Sequence, residues 1–377
     1  MKQKKVLIVT RNLPPLIGGM ERLNWHIADE LSYEHDVILL SHTIAERQAP
    51  KNCRFFGVTL NPLPIFLILA FIQTFLICLR YKPDVLFAGS GLTAPIVVFW
   101  AKIFRKKSVV YIHGLDIANN HWIYNLIWVP MICSASKVIA NSTPTHAICL
   151  KKGISQEKLT IIYPGVTYPP LSRNENQIQS IKAKHQLNDK KILISVGRLT
   201  QRKGLNEFVD SALPEIVAKH PNTILVVIGD TPSQSLNKNL QSKELILETA
   251  HQHGISDHIL FLGNISDDAV LSSWYYLADI HVFPVKHIPD DPEGFGMVAI
   301  EAAAHGTPTI SFATGGIVDA IKDQVTGKLI PIDQYDLLSQ TIISNLNFPQ
   351  KFKKEACESF SKQFSWSNLK FKFDLHI

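Results

Sequence analysis

Two carboxylates, Glu293 and Glu301, stand eight positions apart in the run Pro292-Glu293-Gly294-Phe295-Gly296-Met297-Val298-Ala299-Ile300-Glu301-Ala302-Ala303-Ala304-His305-Gly306-Thr307-Pro308. Gly294 and Gly296 let backbone approach a ligand closely, and Met297 to His305 is an Ala-rich run of helix formers closed by a glycine and a proline. The pattern predicts a loop feeding a helix N-terminus, where unpaired N–H groups and about half a positive charge suit a ligand's oxygens. Glu293 falls outside that helix, and Glu301 falls roughly 7 Å along it at about 1.5 Å per residue, leaning back toward its start. Two acids strung along one cleft fit the two ends of a long hydroxyl-rich ligand better than a proton-sharing pair. The plain alternative is a capping acid at Glu293 and a solvated helix acid at Glu301.

A second cluster is cationic. Gly197-Arg198-Leu199-Thr200-Gln201-Arg202-Lys203-Gly204 sets a guanidinium and an ammonium five positions apart on a strand-to-helix loop. An Arg fork grips phosphate oxygens and a Lys adds a point charge, so the pair suits a diphosphate; otherwise it is a solvated basic loop. Gly18-Gly19-Met20-Glu21-Arg22 opens another helix pattern (Leu23, Ile27, Leu31) and offers a weaker anion-ready start. His113 ends an apolar strand ahead of Gly114, where an imidazole can bond a sugar hydroxyl or handle a proton, or can serve the fold alone. His251, His253 and His258 read as surface histidines. The acidic pairs Asp267-Asp268 and Asp290-Asp291 make no D-x-D triplet, so no metal is expected to hold a diphosphate, and no cofactor is expected.

The elements that position these residues alternate short β-branched runs with longer helical patterns, the mark of parallel α/β sheets. Expected strands are Val6 to Thr10, Asp36 to Leu40, Asp84 to Ala88, Ser108 to Ile112 and Lys137 to Ala140 in the first half. In the second they are Lys191 to Val196, Thr223 to Ile228, His258 to Leu262, Asp279 to Phe283 and Pro308 to Phe312. Pro164, Pro169 and Pro170 interrupt the pattern and place a boundary near Tyr168. The expected architecture is two tandem doubly wound Rossmann-like domains facing an interdomain cleft, residues 1–168 and 169–363, with ligands beyond the carboxyl ends of the strands.

At 377 residues, 46% apolar and 19% charged, the chain suits two globular domains. Five scattered cysteines indicate neither a disulfide framework nor a zinc site, and with no signal-peptide pattern at the start the expected compartment is the cytoplasm. Residues 1–170 carry net charge +9 and residues 171–377 net −3, which points to a polyanionic partner on one side only. The basic half also holds the apolar run Ile65 to Leu79 and the segment Ile96 to Lys107, where apolar aromatics precede a basic cluster. Fifteen residues fall short of the roughly 20 that span a bilayer, so Ile65 to Leu79 reads either as a helix packed on a sheet or as a surface touching a membrane. Nothing in the sequence resembles a nucleic-acid motif.

The collected residues resemble the family 4 retaining glycosyltransferases of the GT-B fold, including envelope and lipopolysaccharide enzymes. The resemblance rests on Gly18-Gly19, His113-Gly114, Asn141-Ser142, Gly197-Arg198 with Lys203-Gly204, Glu293 to Gly296 with Glu301, Gly306-Thr307-Pro308, Gly315-Gly316 and Val325-Thr326-Gly327. It implies an acceptor-binding first domain, a second domain that binds a nucleoside diphosphate sugar, and a C-terminal helix within residues 364–377 that packs back on the first. It implies that Arg198 and Lys203 hold the diphosphate and stabilise the leaving group, that Gly197 is among the donor-binding residues, that Glu293 and the Phe295, Gly296 and Met297 backbone bind the donor sugar, and that Glu301 binds the ribose. His113 would sit by the transferred sugar and Gly19 by the diphosphate or acceptor. The implied reaction moves a hexose, from GDP-mannose or a UDP-sugar, to a lipid-linked or cell-envelope glycan at the inner face of the cytoplasmic membrane. Two departures stand out: Tyr163-Pro164-Gly165-Val166-Thr167 replaces the usual N-G-[VI]-[DN], and Gly229-Asp230-Thr231-Pro232 replaces G-x-G. The rival readings are a nucleotide-sugar epimerase of related fold and a non-catalytic nucleotide-sugar-binding module.

Overall fold

The computed structural model describes residues 3–118, 121–231, 240–288, 290–374 and 376. Pro232 of the second-domain glycine loop and Leu375 of the expected C-terminal helix lie outside the described residues. Two compact units are formed: Met1–Gly165 with Pro289–Phe295 and Trp366–Ile377, and Val166–Ile288 with Gly296–Ser365. The division falls three residues before the boundary read from the sequence, and the segment carrying Glu293 and Phe295 joins the first unit rather than the second.

The first unit is a seven-stranded parallel sheet ordered β3-β2-β1-β4-β5-β6-β7. Its strands are β1 (Lys5–Val9), β2 (Asp36–His42), β3 (Arg54–Val58), β4 (Val85–Ala88), β5 (Lys107–Ile112), β6 (Lys137–Ala140) and β7 (Leu159–Ile161). Val6, Leu7, Ile8 and Val9 are all buried, as a strand covered on both faces requires. Helices α2 (Leu63–Tyr81) and α3 (Ala94–Ile103) cover one face. The other receives α1 (Gly19–Ser32) and the C-terminal helix Trp366–Asp374. That last helix is tied by Trp366 stacked on His26 at 3.9 Å, by Phe373 against Phe87 and Tyr111, and by a buried His35–Asp374 contact of 3.1 Å.

The second unit repeats the plan with six parallel strands, β10-β9-β8-β11-β12-β13. They are β8 (Lys191–Val196), β9 (Thr223–Ile228), β10 (Ile259–Gly263), β11 (Ile280–Phe283), β12 (Thr309–Phe312) and β13 (Gly327–Ile330). Both sheets reverse direction of growth beside their first strand, between β1 and β4 and between β8 and β11, and ligands of such sheets bind beyond the carboxyl ends at that point.

The sequence reading missed β3, β7 and β13. Each is an edge strand, where half-exposure removes the apolar run that marks a central strand: in β3, Arg54 and Gly57 are exposed and Val58 alone is buried. Helix α2 is the expected apolar segment, extended to 19 residues. Phe66, Ala70, Thr74, Ile77 and Cys78 face inward, while Ile65, Ile68, Ile72, Leu76 and Leu79 are 45–59% exposed. Full burial of such a side chain is worth about 1.5–3 kcal/mol, so this stripe forgoes several kcal/mol in water.

Candidate functional site

In the second unit the site grows from the ends of β8 and β11. The Gly197 N–H donates to the Ile228 carbonyl at 2.9 Å, and Leu199, buried, donates to the Asp230 carbonyl at 3.0 Å. Arg198 between them is half-buried on the rim, and no ion pair to it is seen among the described residues. A tight turn over Gln201–Lys203 then folds Lys203 back, so that a Cβ on Gly197 would lie 3.6 Å from Lys203 Cε. The Lys203 ammonium sits over the Phe283 ring, 4.5 Å from its centroid. Gly197, Arg198, Lys203 and Phe283 line one recess.

The helix Met297–Ala304 begins against the same ring. Its N-cap is Gly296 at φ 89°, where a Cβ would meet Phe283 Cε1 at 3.0 Å, so both backbone and space call for glycine. Gly296 has no side chain of its own to cap this helix start, and first-turn amides of a helix suit a ligand's oxygens. Phe283, buried at the end of β11, is thus the wall shared by the cationic loop and the helix start. The loops are also stitched directly, with the Lys286 N–H donating to the Arg202 carbonyl at 2.8 Å.

Glu301 is 5% exposed, which removes the solvated-acid alternative. A carboxylate in such surroundings needs donors. Tyr275 Oη donates to Oε2 at 3.2 Å, and the Tyr275 ring stacks on His305, 5.1 Å between centroids. His305 Nδ1–H donates to the Glu301 carbonyl at 2.7 Å and its Nε2 meets Ser272 Oγ at 2.7 Å, and burial pushes the imidazole below its usual pKa. Deeper in, His281 is wholly buried and pushed down to about 3, first by burial and then by the Lys203 charge.

The first unit gathers His113, Glu293 and Phe295. His113 follows β5 and is 7% exposed, with Nε2–H donating to the Gly89 carbonyl at 2.7 Å, which orients the ring. Asp116 accepts the His113 N–H on Oδ1 and the Gly91 N–H on Oδ2, both at 2.8 Å, so one carboxylate ties the loops after β4 and β5. Asn141 Nδ2 donates to the His113 carbonyl at 3.1 Å. Gly294 passes so close that a Cβ there would meet that carbonyl oxygen at 2.2 Å, which sets half-buried Glu293 beside the His113 loop. The Phe295 ring is buried and stacks on Tyr163, 5.5 Å between centroids. Gly19 is the first residue of α1, but buried Glu21 occupies that helix's first turn and accepts from Asn12 Nδ2 at 2.7 Å. An acid already answers the positive end there, which leaves less for an outside anion than at Met297.

The sequence singled out the charged candidates and gave no sign of the residues packed against or bonded to the candidates: Phe283, Tyr275 and Asp116. None carries a local signal, because each acts on a residue that tertiary structure delivers.

Two Rossmann-like units with these loops at their strand ends define a GT-B glycosyltransferase. The family pattern described as Glycosyltransferase Family 4 matches residues 17–168, and that described as Glycosyl transferases group 1 matches residues 177–363. The chain belongs to the family 4 glycosyltransferases. It is 24% identical to an uncharacterized glycosyltransferase of Methanocaldococcus jannaschii, over 97% of this chain and 95% of the relative. It is 22% identical to a GDP-mannose-dependent alpha-(1-6)-phosphatidylinositol monomannoside mannosyltransferase of Mycolicibacterium smegmatis, over 92% and 90%. Among solved structures, Anabaena HepE in complex with UDP superposes with a TM-score of 0.81 at 17% identity, covering 98% of each chain.

Proposed function

We propose that this glycosyltransferase is a retaining hexosyltransferase that takes its sugar from GDP-mannose or a UDP-sugar and delivers it to a hydroxyl of a lipid-linked or cell-envelope glycan. The observation that carries the reading is the convergence of Lys203 and the helix start at Gly296 on one Phe283 ring. A fixed cation and backbone amides beside Arg198 suit a diphosphate both before and after its bond to the sugar breaks, when negative charge grows on the departing oxygen. Glu301, oriented by Tyr275, binds the ribose. Glu293 and the Phe295 to Met297 backbone bind the sugar's hydroxyls, and His113, fixed by Gly89 and Asp116, stands by the transferred sugar. The acceptor hydroxyl attacks the anomeric carbon from the face that the diphosphate leaves, and its proton passes to the departing phosphate oxygen. The relative named for GDP-mannose and the solved structure in complex with UDP support the two donors, and the phosphatidylinositol monomannoside in that relative's name supports a lipid acceptor. An acceptor of that kind keeps the enzyme at the inner face of the cytoplasmic membrane.

The test is incubation of purified protein with GDP-mannose or UDP-glucose, with and without a glycolipid acceptor, followed by NMR of the product's anomeric proton. The expected result is acceptor-dependent transfer with the donor's configuration kept. Donor isomerised without acceptor supports the epimerase, and an inverted product overturns the retaining assignment.

A further inference from the structure

The first unit leaves a continuous apolar face in water. On α2 the exposed residues Ile65, Ile68, Ile72, Leu76 and Leu79 follow one another at three- and four-residue steps, a single stripe about 21 Å long at about 1.5 Å per residue. Beside it α3 exposes Phe99 and Ile103, 40% and 59%. Beyond α3, which packs against both α2 and the segment 124–133, Trp122 and Leu126 are 70% and 66% exposed. Phe71, Phe75, Phe99, Trp100 and Phe104 interlock α2 with α3, ring to ring at 4.8–6.1 Å, and Trp100 Nε1–H donates to the Phe71 carbonyl at 2.9 Å. The face is therefore rigid, and larger than the scattered single residues that need no explanation.

Its charged rim selects the partner. Arg80 and Lys82 close α2, and Lys102, Arg105 and Lys106 close α3, all exposed or half-exposed and at neighbouring helix ends. Between those ends lies an apolar recess of about 230 Å³ lined by Cys78, Leu79, Pro83 and Phe104, with Lys82 and Lys106 also on its wall. No acidic residue occurs between Ile65 and Tyr81 or between Ala94 and Lys107. By length and composition α2 could cross a membrane, with 19 residues and a mean hydropathy of 2.2. Its topology says otherwise, because it links β3 to β4 of one sheet and packs along that sheet, and both its ends must stay on the same side of any bilayer.

We propose that this face docks flat on a lipid bilayer bearing anionic headgroups, with the outer stripe of α2, Phe99, Ile103 and Trp122 in the interface and the basic helix ends against the phosphates. Apolar insertion and cationic attraction act together in such contacts, each Lys or Arg near the surface adding roughly 1 kcal/mol. The inference deepens the reading of a lipid-linked acceptor and rests on it, for it brings the acceptor-binding unit to where such an acceptor is held.

Flotation on vesicles of phosphatidylglycerol mixed with phosphatidylcholine, at physiological salt, tests it. The wild type is expected to float with these vesicles and to stay down with phosphatidylcholine alone. Ile68→Asp with Ile72→Asp is expected to cut the floating fraction about tenfold, and Lys102→Gln with Arg105→Gln several-fold. Tryptophan emission should shift to the blue on vesicle addition, less so in Trp122→Phe. Wild type that stays down, or isoleucine variants that float as well as it does, overturns the proposal. So does a wild-type dimer that these variants convert to monomer, since the face then belongs to a second copy. Nucleotide binding by the same variants checks their folding, and its loss in the wild type sinks the glycosyltransferase mechanism without touching flotation.

Discussion

The helix Met297–Ala304 and α2 are both built of apolar residues, yet their exceptions are opposite. In the second unit the exception is a polar group kept inside: Glu301 is buried in a run of alanines, and Arg198 and Lys203 stand half-buried at the neighbouring strand end. In the first unit it is apolar surface kept outside, along α2, α3 and Trp122. Each arrangement costs free energy in the isolated chain, and each calls for a different partner, the proposed nucleotide-sugar donor in one case and the proposed lipid surface in the other. Similar composition on one sheet architecture thus serves two unlike surfaces, and the side chains that violate the burial rule tell them apart.

The strongest way to break this contrast is to remove a cation from the second unit. Arg198→Ala is expected to lower kcat/KM for the donor about 10²–10³-fold, the size seen when one transition-state donor is deleted, while vesicle flotation stays at the wild-type level. Gly296→Ala attacks the shared wall instead. With φ at 89° and Phe283 at 3.0 Å from the new methyl, it should cost about 1–3 kcal/mol of stability by denaturant titration and weaken donor binding too. On the other side of the comparison, Ile68→Asp with Ile72→Asp should slow transfer to a vesicle-borne acceptor about tenfold and leave transfer to a water-soluble analogue unchanged.

A smaller effect concerns both units at once. His26 in the first and His281 in the second are each pushed down to about 3 chiefly by burial, so they remain neutral in the folded chain at pH values where unfolded histidine takes a proton. Protons then bind the unfolded state preferentially between about pH 6.5 and about pH 3, and stability falls as pH drops through that window, with no contribution above it. Melting temperatures measured at about pH 7.5 and about pH 5 should show the decline, and His26→Phe should flatten it by removing one contribution. A decline as steep in the variant as in the wild type contradicts the assignment to His26.

The central strands were legible because a strand covered on both faces must be apolar along most of its length, as Val6 to Val9 and Ile224 to Ile228 are. The edge strands β3, β7 and β13 lack that requirement and left no trace, whereas the edge strand β10 kept an apolar run and was legible. The charged candidates stand out by glycine spacing and by the family resemblance, whereas Phe283, Tyr275 and the link from Asp116 to Gly91 depend on contacts far apart in sequence. The same limit hid the grouping of the Glu293 segment with the first unit, since chain position gave no sign that Gly294 packs on the His113 carbonyl. For α2 the obstacle was different: when every position from Leu67 to Phe71 is apolar, no periodicity separates the buried face from the exposed one.

On the proposed function, the second unit holds a nucleoside diphosphate on Arg198, Lys203 and the Met297 helix start. Calorimetric titration of GDP and of UDP into the purified full chain, without added metal, tests it most directly. Saturable binding of at least one of them, weakened about tenfold or more in Arg198→Ala, is the predicted result. Binding of neither, or binding that Arg198→Ala leaves unchanged, contradicts it.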